Sequence, residues 1–491
     1  MPSTIKDILD EFKKHHSFDS AKVIERAYQF AEKAHRGQKR KSGEDYIYHC
    51  LETAMTLAKL KMDAETIAAG LLHDVLDDTK TSSGQLRKKF GENILNLVKG
   101  ICKVGKIKYH GKERMVENLR KLFLAMAKDI RVILIKLSDR LHNMETLDAL
   151  PEEKQKRIAL ETLEIYAPIA NRLGIREIGG DLEDLAFKYV YPKEYQEVVK
   201  RVKDRYIKGK EYLKKITPIV KKNLTRKNVR VIEIHARTKH YYSLYRKLLR
   251  YDMDWHKIYD IVALRIIVPD IESCYAALGV IHKKWKPLIG RIKDYIAISK
   301  PNGYQSLHTT VFCQGGKITE FQIRTPQMHQ ESEYGIAAHW YYSEEKGLKS
   351  YIKRKILHQK PEREFKKELS WVKQLQEWQN EKFSSPEEFI DSLKIDFLKD
   401  RIFVFTPKGD IIDLPEGAIP IDFAYEIHTD VGNQCAGAKV DEKLVPLSRP
   451  LQNGEVVEII TQKNKKPNRD WLQIVKTNAA KSKIKAWFKK N

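Results

Sequence analysis

Four side chains suited to binding a divalent metal ion are spread through the N-terminal part of the sequence: His49, His73, Asp74 and Asp139. The adjacent pair lies in LLHDVLDDT, at the end of an apolar run, and Asp139 follows a second apolar run in VILIKLSDRLHNMETL. Imidazole and carboxylate ligands together suit an ion such as Mn²⁺ and leave positions for water and substrate. An HD dipeptide alone is more often a capping aspartate beside a structural histidine. Because buried carboxylates without a counter-ion are costly, the four residues together indicate a metal site.

Further acidic and amide side chains follow this set at helical spacing. Asp77 and Asp78 lie one turn beyond Asp74, and a separation of four residues puts Asp74 and Asp78 on one helix face. Asn143 likewise follows Asp139 by four residues and shares its face. The candidate metal set therefore extends along two helix faces.

A second set of side chains, in the middle of the sequence, suits the binding of phosphate groups. The segment ARTKHYYSLYRKLLR contributes Arg237, Lys239, Ser243 and Lys247. The last two are four residues apart, so they share a helix face that can hold a triphosphate. Taken alone, such a segment is more often a solvated basic helix, so its interpretation depends on its neighbours.

Two acidic residues near the ends of predicted strands flank a basic loop. Asp260 lies in IYDIVALRIIV and Glu320 in ITEFQIRT, positions that suit Mg²⁺ coordination and deprotonation of an attacking hydroxyl. Tyr304 follows an Asn-Gly turn and can stack on a nucleobase. The neighbours that can hold the phosphates of that nucleotide are Arg291, Lys293, Lys300 and His308. No GxxxxGKS/T or GxGxxG motif occurs, which excludes P-loop enzymes and protein kinases.

The elements that carry these side chains can be read from the periodicity of the chain. Apolar residues at helical spacing, as in AKVIERAYQFAEKAH, predict an all-helical N-terminal half. Short strands alternating with helical stretches predict a mixed α/β domain after it, and DRIFVFTPKGDIIDLP predicts a small β-rich module. The expected organisation is a helical domain at 1–195, a helical linker at 196–222, the α/β domain at 223–342, a helical connector at 343–398, the β-rich module at 399–463 and a basic tail at 464–491.

The composition describes an ordinary soluble protein with a large excess of positive charge. The 491 residues are 42% hydrophobic and 32% charged, with a formal net charge of +25. No apolar run reaches the about 18 residues that cross a bilayer, and the N-terminus lacks a secretory signal, so the protein is expected to be cytoplasmic. The five scattered cysteines indicate neither disulfides nor a thiolate zinc site. The charge could serve nucleic acid, an anionic membrane or a highly phosphorylated small molecule.

Three separated motifs, HRGQKRKSGEDYIYH, LLHDVLDDT and SDRLHNMETL, together resemble the all-α HD-type hydrolase domain of the RelA/SpoT homologue family. The resemblance implies Mn²⁺ held by His49, His73, Asp74 and Asp139, and a water activated by Asp77 and Asp78 that attacks the 3′-pyrophosphate of the alarmone (p)ppGpp. It places the substrate against Arg40, Lys41, Ser42, Asn143, Thr146 and Leu147. The family commonly has Glu at Asp77 and Arg at Glu145. Because a reversed charge near an anionic substrate lowers affinity, Glu145 is expected to weaken hydrolysis.

The central segments, with EFQIRTPQMHQESEYGIAAHW, resemble the α/β, nucleotidyltransferase-like synthetase domain of the same family. The resemblance implies ATP bound by Arg237, Lys239, Ser243, Lys247 and Arg265, and an acceptor GDP or GTP stacked on Tyr304 and fixed by Lys293, Lys300, Asn302 and His308. Asp260 and Glu320 would hold Mg²⁺, with Glu320 the base for the ribose 3′-hydroxyl that attacks the β-phosphate of ATP. Ala236 and Thr238 depart from the usual GRPKH, whereas RIKD has the basic form of bifunctional members.

The segment DRIFVFTPKGDIIDLPEGAIPIDFAYEIHTDVGNQCAGAKV resembles the TGS domain, a small β-grasp module that in this family contacts ribosome-bound tRNA. The resemblance places His428 at the end of an uncharged tRNA, although one histidine in a β-rich module is more often structural. Long members of the family continue beyond the segment that matches residue 491 with further helical, zinc-binding and ACT regulatory domains.

The resemblance covers essentially the whole chain and predicts a bifunctional enzyme of the stringent response that synthesises and hydrolyses (p)ppGpp. ATP, GDP or GTP, (p)ppGpp, the ribosome and uncharged tRNA are the expected partners, and neither a membrane nor DNA is expected. Two alternatives remain open at this point. One is a synthetase with weak hydrolysis, and the other is a ribosome- or tRNA-binding regulator with decayed active sites.

Overall fold

The computed structural model describes residues 2–17, 20–102, 111–258, 261–300, 303–338, 385–398 and 401–490. The chain divides into two units, Met1–Val104 with Lys121–Val372, and Gly105–Arg120 with Lys373–Asn491. Asp260, Asn302 and most of the connector predicted at 343–398 lie outside the described residues. None of the described helices is both long and apolar enough to span a membrane.

The first unit begins with a helical half, as the periodicity of the sequence predicts. Its helices are α1 (Ile5–Lys13), α2 (Ala21–Ala34), α3 (Tyr46–Lys59), α4 (Ala64–Leu72), α5 (Val75–Asp78), α6 (Ser83–Ile101), α7 (Gly111–Lys128, in this unit from Lys121), α8 (Arg131–Glu145), α9 (Glu152–Glu161), α10 (Ala167–Arg172) and α11 (Arg176–Val190). A 3₁₀ turn at Leu147–Ala149 and a π-turn at Thr162–Tyr166 complete it. Helix α3 packs against both α4 and α8.

Two of these helices, α4 and α8, are largely buried and form the centre of the helical half. All residues of α4 except Glu65 are buried, and Asp63 caps its first turn by accepting a hydrogen bond from Thr66 N at 2.9 Å. In α8 the run from Val132 to Ile135 is buried, and the same burial continues to Asp139 one turn later. The ligand candidates at the end of α4 and within α8 are therefore carried into the core by their apolar neighbours.

The linker predicted at 196–222 lies entirely within one long helix, α12 (Pro192–Thr225). Its buried residues recur at three- and four-residue intervals, as expected for a helix with one packed face, and are Val198, Val202, Leu213, Ile216, Val220 and Leu224. The second half of this stripe joins the core of the α/β domain. Helix α12 thus packs as part of the α/β domain and also connects that domain to the helical half.

The α/β domain is a five-stranded mixed sheet in the order β1-β2-β5-β4-β3. Its strands are β1 (Glu233–Thr238), β2 (Val262–Ile267), β3 (Lys293–Asp294), β4 (Leu307–Phe312) and β5 (Ile318–Arg324), and its helices are α13 (Tyr241–Arg250), α14 (Ile271–Lys284) and α15 (Pro326–Tyr334). Only β2 and β5 pair in parallel, and the other three pairs are antiparallel.

The two faces of this sheet differ sharply in character. On one face Leu264, Phe321 and Ile323 pack with α12 and α14 in a hydrophobic core. On the other face the alternate residues of β5 are polar, and Gln322 contacts both Glu320 and Arg324, at 3.1 and 3.2 Å. These three residues therefore share one face of the strand, as the alternation of side chains along a strand requires.

The second unit contains the β-rich module and the basic tail. Its elements after α7 are α16 (Pro386–Leu393), β6 (Arg401–Phe405), β7 (Ile411–Pro415), α17 (Pro420–Ile427), α18 (Thr429–Asn433), β8 (Cys435–Val440), β9 (Lys443–Val445), β10 (Val457–Thr461), α19 (Trp471–Ile474) and α20 (Asn478–Lys490). Buried Asp422 accepts backbone hydrogen bonds from Ile419, Lys476 and Thr477 at 3.0, 3.0 and 2.8 Å. One carboxylate thus ties the tail to the module.

Candidate active sites

Side chains from three parts of the helical half meet in one buried cluster. The Nε2 atom of His49, from α3, lies 3.2 Å from His73 Nε2 at the end of α4 and 3.2 Å from Asp139 Oδ1 of α8. His73 Nε2 lies 3.1 Å from Asp74 Oδ2 and 3.7 Å from Asp139 Oδ1. The two histidines are each 1% exposed and Asp139 is 5% exposed. All four residues proposed from the sequence as metal ligands are brought together.

The cluster fits a divalent cation. Histidine and carboxylate ligand atoms lie about 2.1 Å from such an ion, so neighbouring ligand atoms around it are close to one another, as they are here. His73 Nδ1 donates to Gly70 O at 2.8 Å, which fixes the ring so that Nε2 is the ligand atom that faces the cluster. Two imidazoles and two carboxylates in a buried setting also form a mixed donor set suited to a borderline ion.

The charges in the cluster depend strongly on one another. Burial opposes ionisation of Asp74, but His73 and His49 outweigh it and hold the pKa of that carboxyl well below its usual value. Burial is likewise outweighed at Asp139, where Lys136 and the two histidines lower the pKa. Both carboxylates are therefore ionised at neutral pH and attract a cation.

A second ring of side chains fixes the orientation of these ligands. Lys136 Nζ lies 2.6 Å from Asp139 Oδ2, and Asn143 Nδ2 donates to Asp139 Oδ1 at 2.5 Å. Asn143 Oδ1 accepts from an amino group of Arg40 at 2.5 Å. The predicted pairing of Asp139 with Asn143 on one helix face is confirmed, and Arg40 closes this side of the site.

Three residues of this site were not identified from the sequence: Lys136, described above, and the two residues Tyr46 and His142. Tyr46 Oη lies 2.7 Å from Asp74 Oδ2 and 2.8 Å from Asp78 Oδ2, so it links the metal cluster to α5. His142 Nδ1 lies 2.8 Å from His49 Nδ1 and 2.9 Å from an amino group of Arg40. Tyr46 precedes His49 by three residues on α3, a helical spacing that could have signalled its role.

The remaining residues proposed for this site lie in the loop before α3, on α5 and at the end of α8. Lys41 and Ser42 are exposed in the loop before α3, and Ser42 Oγ donates to Glu44 at 3.3 Å. Thr146 Oγ1 donates to His142 O at 3.1 Å at the end of α8, and Leu147 after it is buried. Asp77 is exposed on α5.

The polar face of the mixed sheet carries a pocket of about 340 Å³. Ten residues proposed from the sequence for the nucleotide sites line it: Arg237, Lys239, Ser243, Lys247, Arg291, Lys293, Lys300, Tyr304, His308 and Glu320. Arg265 is not among the residues that line the pocket. It is 5% exposed, and one of its amino groups lies 3.0 Å from Glu333 Oε1 of α15. The pocket is rich in cations and holds one acidic strand residue, a composition suited to phosphate groups and a metal ion.

A chain of hydrogen bonds runs through the floor of this pocket. Glu320 Oε1 lies 2.9 Å from His308 Nδ1, and His308 Nε2 lies 2.6 Å from Tyr304 Oη. Tyr304 Oη also accepts from an amino group of Arg324 at 2.9 Å. Burial raises the pKa of Tyr304, but Arg324, His308 and Arg176 outweigh it and lower that pKa to about 6. The carboxylate and the phenol therefore sit in a strongly cationic environment.

Helix α11 of the helical half supports this pocket, a contact with no local signal in the sequence. Asp184 accepts hydrogen bonds from Tyr242 N and His240 Nδ1, both at 2.9 Å, and so caps the N-terminus of α13. Glu183 Oε2 accepts from Ser243 Oγ at 3.3 Å. The helix that presents Ser243 and Lys247 is thus held in place from the other half of the unit.

In the second unit, His428 is the N-cap residue of α18 and its ring accepts from Asp430 N at 3.2 Å. Its side chain is 67% exposed. The residue proposed for a nucleic-acid contact is therefore accessible and also has a local structural role.

The architecture defines a class of multidomain protein with a histidine–carboxylate helical domain, a mixed α/β domain with a basic pocket, and a small β-rich domain. Family models match all three parts: "HD domain" at 27–176, "Region found in RelA / SpoT proteins" at 236–347, and "TGS domain" at 402–461. The chain belongs to the RelA/SpoT family.

Relatives from three bacteria match nearly the whole chain. It is 49% identical over 475 residues to a GTP pyrophosphokinase of Streptomyces coelicolor, covering 95% of this chain and 55% of that protein. It is 47% identical over 487 residues to a guanosine-3′,5′-bis(diphosphate) 3′-pyrophosphohydrolase of Aquifex aeolicus, covering 99% and 66%. A bifunctional (p)ppGpp synthase/hydrolase RelA of Mycobacterium tuberculosis is 46% identical over 470 residues, covering 95% and 62%. The chain thus spans 55% to 66% of the length of these relatives.

Proposed function

We propose that the protein is a bifunctional alarmone enzyme of the stringent response. It transfers pyrophosphate from ATP to the 3′-hydroxyl of GDP or GTP to make (p)ppGpp, and it hydrolyses the 3′-pyrophosphate of (p)ppGpp to GDP or GTP and pyrophosphate. The observation that carries this proposal is the presence of two separate polar centres in one chain, one a buried cluster of histidines and carboxylates and the other a basic pocket. Relatives are named for each activity and for both together.

In the hydrolytic centre, His49, His73, Asp74 and Asp139 hold a divalent ion, for which we propose Mn²⁺. Such an ion lowers the pKa of a bound water and polarises a phosphoryl oxygen. Asp78, held by Tyr46 beside Asp74, and its neighbour Asp77 accept the proton of the attacking water. The guanosine side of the substrate binds Arg40, Lys41 and Ser42, and the far wall of the site is Asn143, Thr146 and Leu147.

Metal binding can be tested through stability as well as activity. Removal of divalent ions with a chelator should abolish hydrolysis, and Mn²⁺ should restore it and raise the melting temperature. Binding to the folded state alone adds about 2.7 kcal/mol of stability when the ion is present at one hundred times its Kd. The measurement is differential scanning fluorimetry with parallel hydrolysis assays. Equal restoration by Mg²⁺ would show that the proposed identity of the ion is wrong.

Glu145 is not expected to impair hydrolysis, contrary to the expectation from its charge alone. The groups that act on it are Glu52, Asp181 and Lys59 on α3 and α11, and burial together with the two acids raises its pKa. Asn143, two residues earlier, faces the metal cluster instead. Glu145→Gln should therefore leave the kcat/KM of hydrolysis within about twofold, whereas Asn143→Ala should lower it by about 10- to 100-fold. A large gain of hydrolysis in Glu145→Gln would instead place its charge at the substrate.

In the synthetic centre, ATP binds Arg237, Lys239, Ser243 and Lys247 with help from Arg265, and the acceptor base stacks on Tyr304. Lys293, Lys300, Asn302 and His308 fix the acceptor. Glu320 is the base for the 3′-hydroxyl and, with Asp260, binds Mg²⁺, which neutralises charge on the transferring group. The support for this assignment is that Glu320 faces the pocket within hydrogen-bonding distance of His308.

The deciding experiment gives the purified protein ATP and GDP with Mg²⁺, and separately (p)ppGpp with Mn²⁺, and resolves the products chromatographically. Turnover in both assays is the expected result. Turnover in the first alone would favour a synthetase with weak hydrolysis. Absence of turnover in both would reject the enzymatic proposal in favour of a decayed ribosome- or tRNA-binding regulator.

The TGS domain is proposed to contact the ribosome and uncharged tRNA through exposed His428, in a cytoplasmic protein. We place the helical domain at 1–195, the synthetase domain at 223–342 and the TGS domain at 399–463. The family matches at 27–176 and 402–461 lie inside two of these ranges, whereas the central match runs to residue 347. Neither DNA nor a membrane is among the proposed partners.

A further inference from the structure

Glu333, near the end of α15, lies between two arginines of the mixed sheet. Its Oε1 atom lies 3.0 Å from an amino group of Arg265 on β2 and 3.6 Å from an amino group of Arg324 on β5. Both arginines are buried, whereas the side chain of Glu333 is 24% exposed. One carboxylate oxygen is thus within ion-pairing distance of two cations that burial has removed from water.

This carboxylate is the counter-charge that the two arginines share. Across the part of the chain that the structure describes, no other carboxylate lies within ion-pairing distance of either guanidinium. Burial and the repulsion from Arg324 lower the pKa of Arg265 to about 10, and Glu333 opposes them. Burial also lowers the pKa of Arg324, with Tyr304 and Glu333 opposing it. Because a buried ion that loses its partner is strongly destabilised, both arginines depend on Glu333 to keep their positions.

Arg324 connects Glu333 to the acceptor side of the pocket. One amino group of Arg324 donates to Ser332 Oγ at 2.6 Å, and Ser332 Oγ in turn donates to Glu333 Oε1 at 3.3 Å. The other amino group of Arg324 donates to Tyr304 Oη at 2.9 Å and to Gln322 Oε1 at 3.2 Å. Because a guanidinium is a rigid planar fork, fixing one end sets the direction in which the other end points. Glu333 and Ser332 therefore set the angle at which Arg324 meets Tyr304.

Arg265 connects Glu333 to the donor side of the pocket. In the proposed function Arg265 helps to bind ATP, and on the parallel strand beside it Arg265 pairs with Gln322, which lines the pocket. The second amino group of Arg265 lies 3.3 Å from His235 Nε2. Glu333 itself does not line the pocket. A carboxylate outside the pocket thus holds one arginine on the side of each nucleotide.

The helix that carries Glu333 is fixed at both ends. Thr325 caps the first turn of α15 by accepting a hydrogen bond at 3.2 Å from the backbone of the third helical residue. At the other end Gly335 has a φ of +52°, and a Cβ atom there would lie 2.2 Å from Leu173 O, so this close approach requires glycine. Ile336 N then donates to Leu173 O at 3.0 Å. Helix α15 therefore presents Glu333 to the sheet from a fixed position.

We propose that Glu333 is a positioning residue of the synthetic centre, which holds Arg265 on the donor side and Arg324 on the acceptor side in a fixed relation to each other. The inference rests on the proposed synthetic function of this pocket, and it adds a residue that contacts neither nucleotide. Pyrophosphate transfer needs the acceptor hydroxyl in line with the phosphate it attacks, and a misplacement of about 1 Å can lower the rate about 100-fold. Glu333 limits such misplacement because it is the ion-pairing partner of both sides.

The proposal is tested by assaying synthesis from ATP and GDP by the full chain in wild type, Glu333→Gln, Glu333→Asp and the control Glu331→Gln. The control removes a charge from the same helix at a residue that accepts a hydrogen bond from Gln327. Glu333→Gln should lower the kcat of synthesis by about 10- to 100-fold. The KM for either nucleotide should not rise, since loss of a negative charge beside the pocket favours phosphate binding. Hydrolysis of (p)ppGpp by Glu333→Gln, and both activities of Glu331→Gln, should match wild type.

The order of the two variants separates positioning by charge from simple packing. Glutamine keeps the size of glutamate without its charge, whereas aspartate keeps the charge on a shorter side chain. Positioning predicts that the kcat of Glu333→Asp lies between those of wild type and Glu333→Gln, and packing predicts that Glu333→Gln is the more active variant.

A kcat of Glu333→Gln within about threefold of wild type, or above that of Glu333→Asp, overturns the proposal and leaves the synthetic function intact. Failure of wild type to make (p)ppGpp from ATP and GDP would instead reject the synthetic function, and the role of Glu333 with it. Melting curves report folding. If Glu333→Gln is unfolded, Glu333→Asp decides, with a lowered kcat at unchanged KM in favour of the proposal and a wild-type kcat against it.

Discussion

Glu320→Gln is expected to lower the kcat of (p)ppGpp synthesis by at least about 10³-fold while (p)ppGpp hydrolysis stays within about twofold of wild type. General-base catalysis contributes about 10²- to 10⁴-fold, and this carboxylate also binds Mg²⁺ in the proposed mechanism. Glutamine keeps the size and hydrogen-bonding capacity of the side chain but removes its charge and basicity. The measurement is product formation from ATP and GDP, with hydrolysis of (p)ppGpp assayed on the same preparation.

Because of the position of Glu320 in the sheet, replacing it with glutamine should change the side-chain chemistry without disturbing the backbone. Strand β5 is the central strand of the sheet, paired with β2 on one side and β4 on the other, so its register is fixed by backbone hydrogen bonds that glutamine does not alter. Glu272→Gln, an exposed change of the same type on α14, is the matched control and should leave both activities unchanged. Synthesis retained above one tenth of wild type would exclude Glu320 as the base, and loss of both activities would contradict independent centres.

Local spacing was sufficient to predict much of the framework of both sites. The four-residue separations of Asp74 from Asp78 and of Asp139 from Asn143 correspond to side chains that meet, directly or through Tyr46. Glu320, proposed from the sequence as an acidic residue near a strand end, lines the pocket from β5. These predictions succeed because helix and strand periodicity decide which side chains share a face, whatever the tertiary packing.

Contacts between distant segments could not be predicted in this way. His142 meets His49 across 93 residues of sequence, and Asp184 caps α13 from 58 residues away. Nothing in the local pattern of α11 indicates that the guanidinium carbon of Arg176 lies 4.0 Å from the centre of the Tyr304 ring. Such pairings depend on how whole helices pack, which periodicity alone does not specify.

Arg265 shows the same limit within a single strand. Alternation puts it on the polar face of β2, opposite Gln322, which agrees with the role implied by the family resemblance. The packing of α15 against that end of the sheet pairs it with Glu333 and covers it. The contribution of Arg265 to ATP binding therefore stays a prediction, and in this structure the side chain is buried next to the pocket residues and does not line the pocket itself.

Asp74→Asn is expected to impair hydrolysis and spare synthesis, the opposite of Glu320→Gln. Hydrolysis should fall by more than about a hundredfold while synthesis stays within about twofold of wild type. Loss of a side chain that only supports a metal ligand already costs about 10- to 100-fold, and Asp74 is a proposed ligand itself. Asp74 Oδ2 lies 3.1 Å from His73 Nε2 and accepts from Tyr46 Oη at 2.7 Å. Asparagine preserves the volume but removes the negative charge that the two histidines stabilise. The variant should therefore bind less Mn²⁺, measured as metal per chain by mass spectrometry after dialysis, in parallel with the two product assays.

Asp148→Asn, an exposed substitution just beyond α8, is the matched control and should retain metal and both activities. Full metal occupancy with normal hydrolysis in Asp74→Asn would remove this residue from the ligand set, whereas loss of synthesis as well would show that the helical half supports the nucleotide pocket through its metal centre.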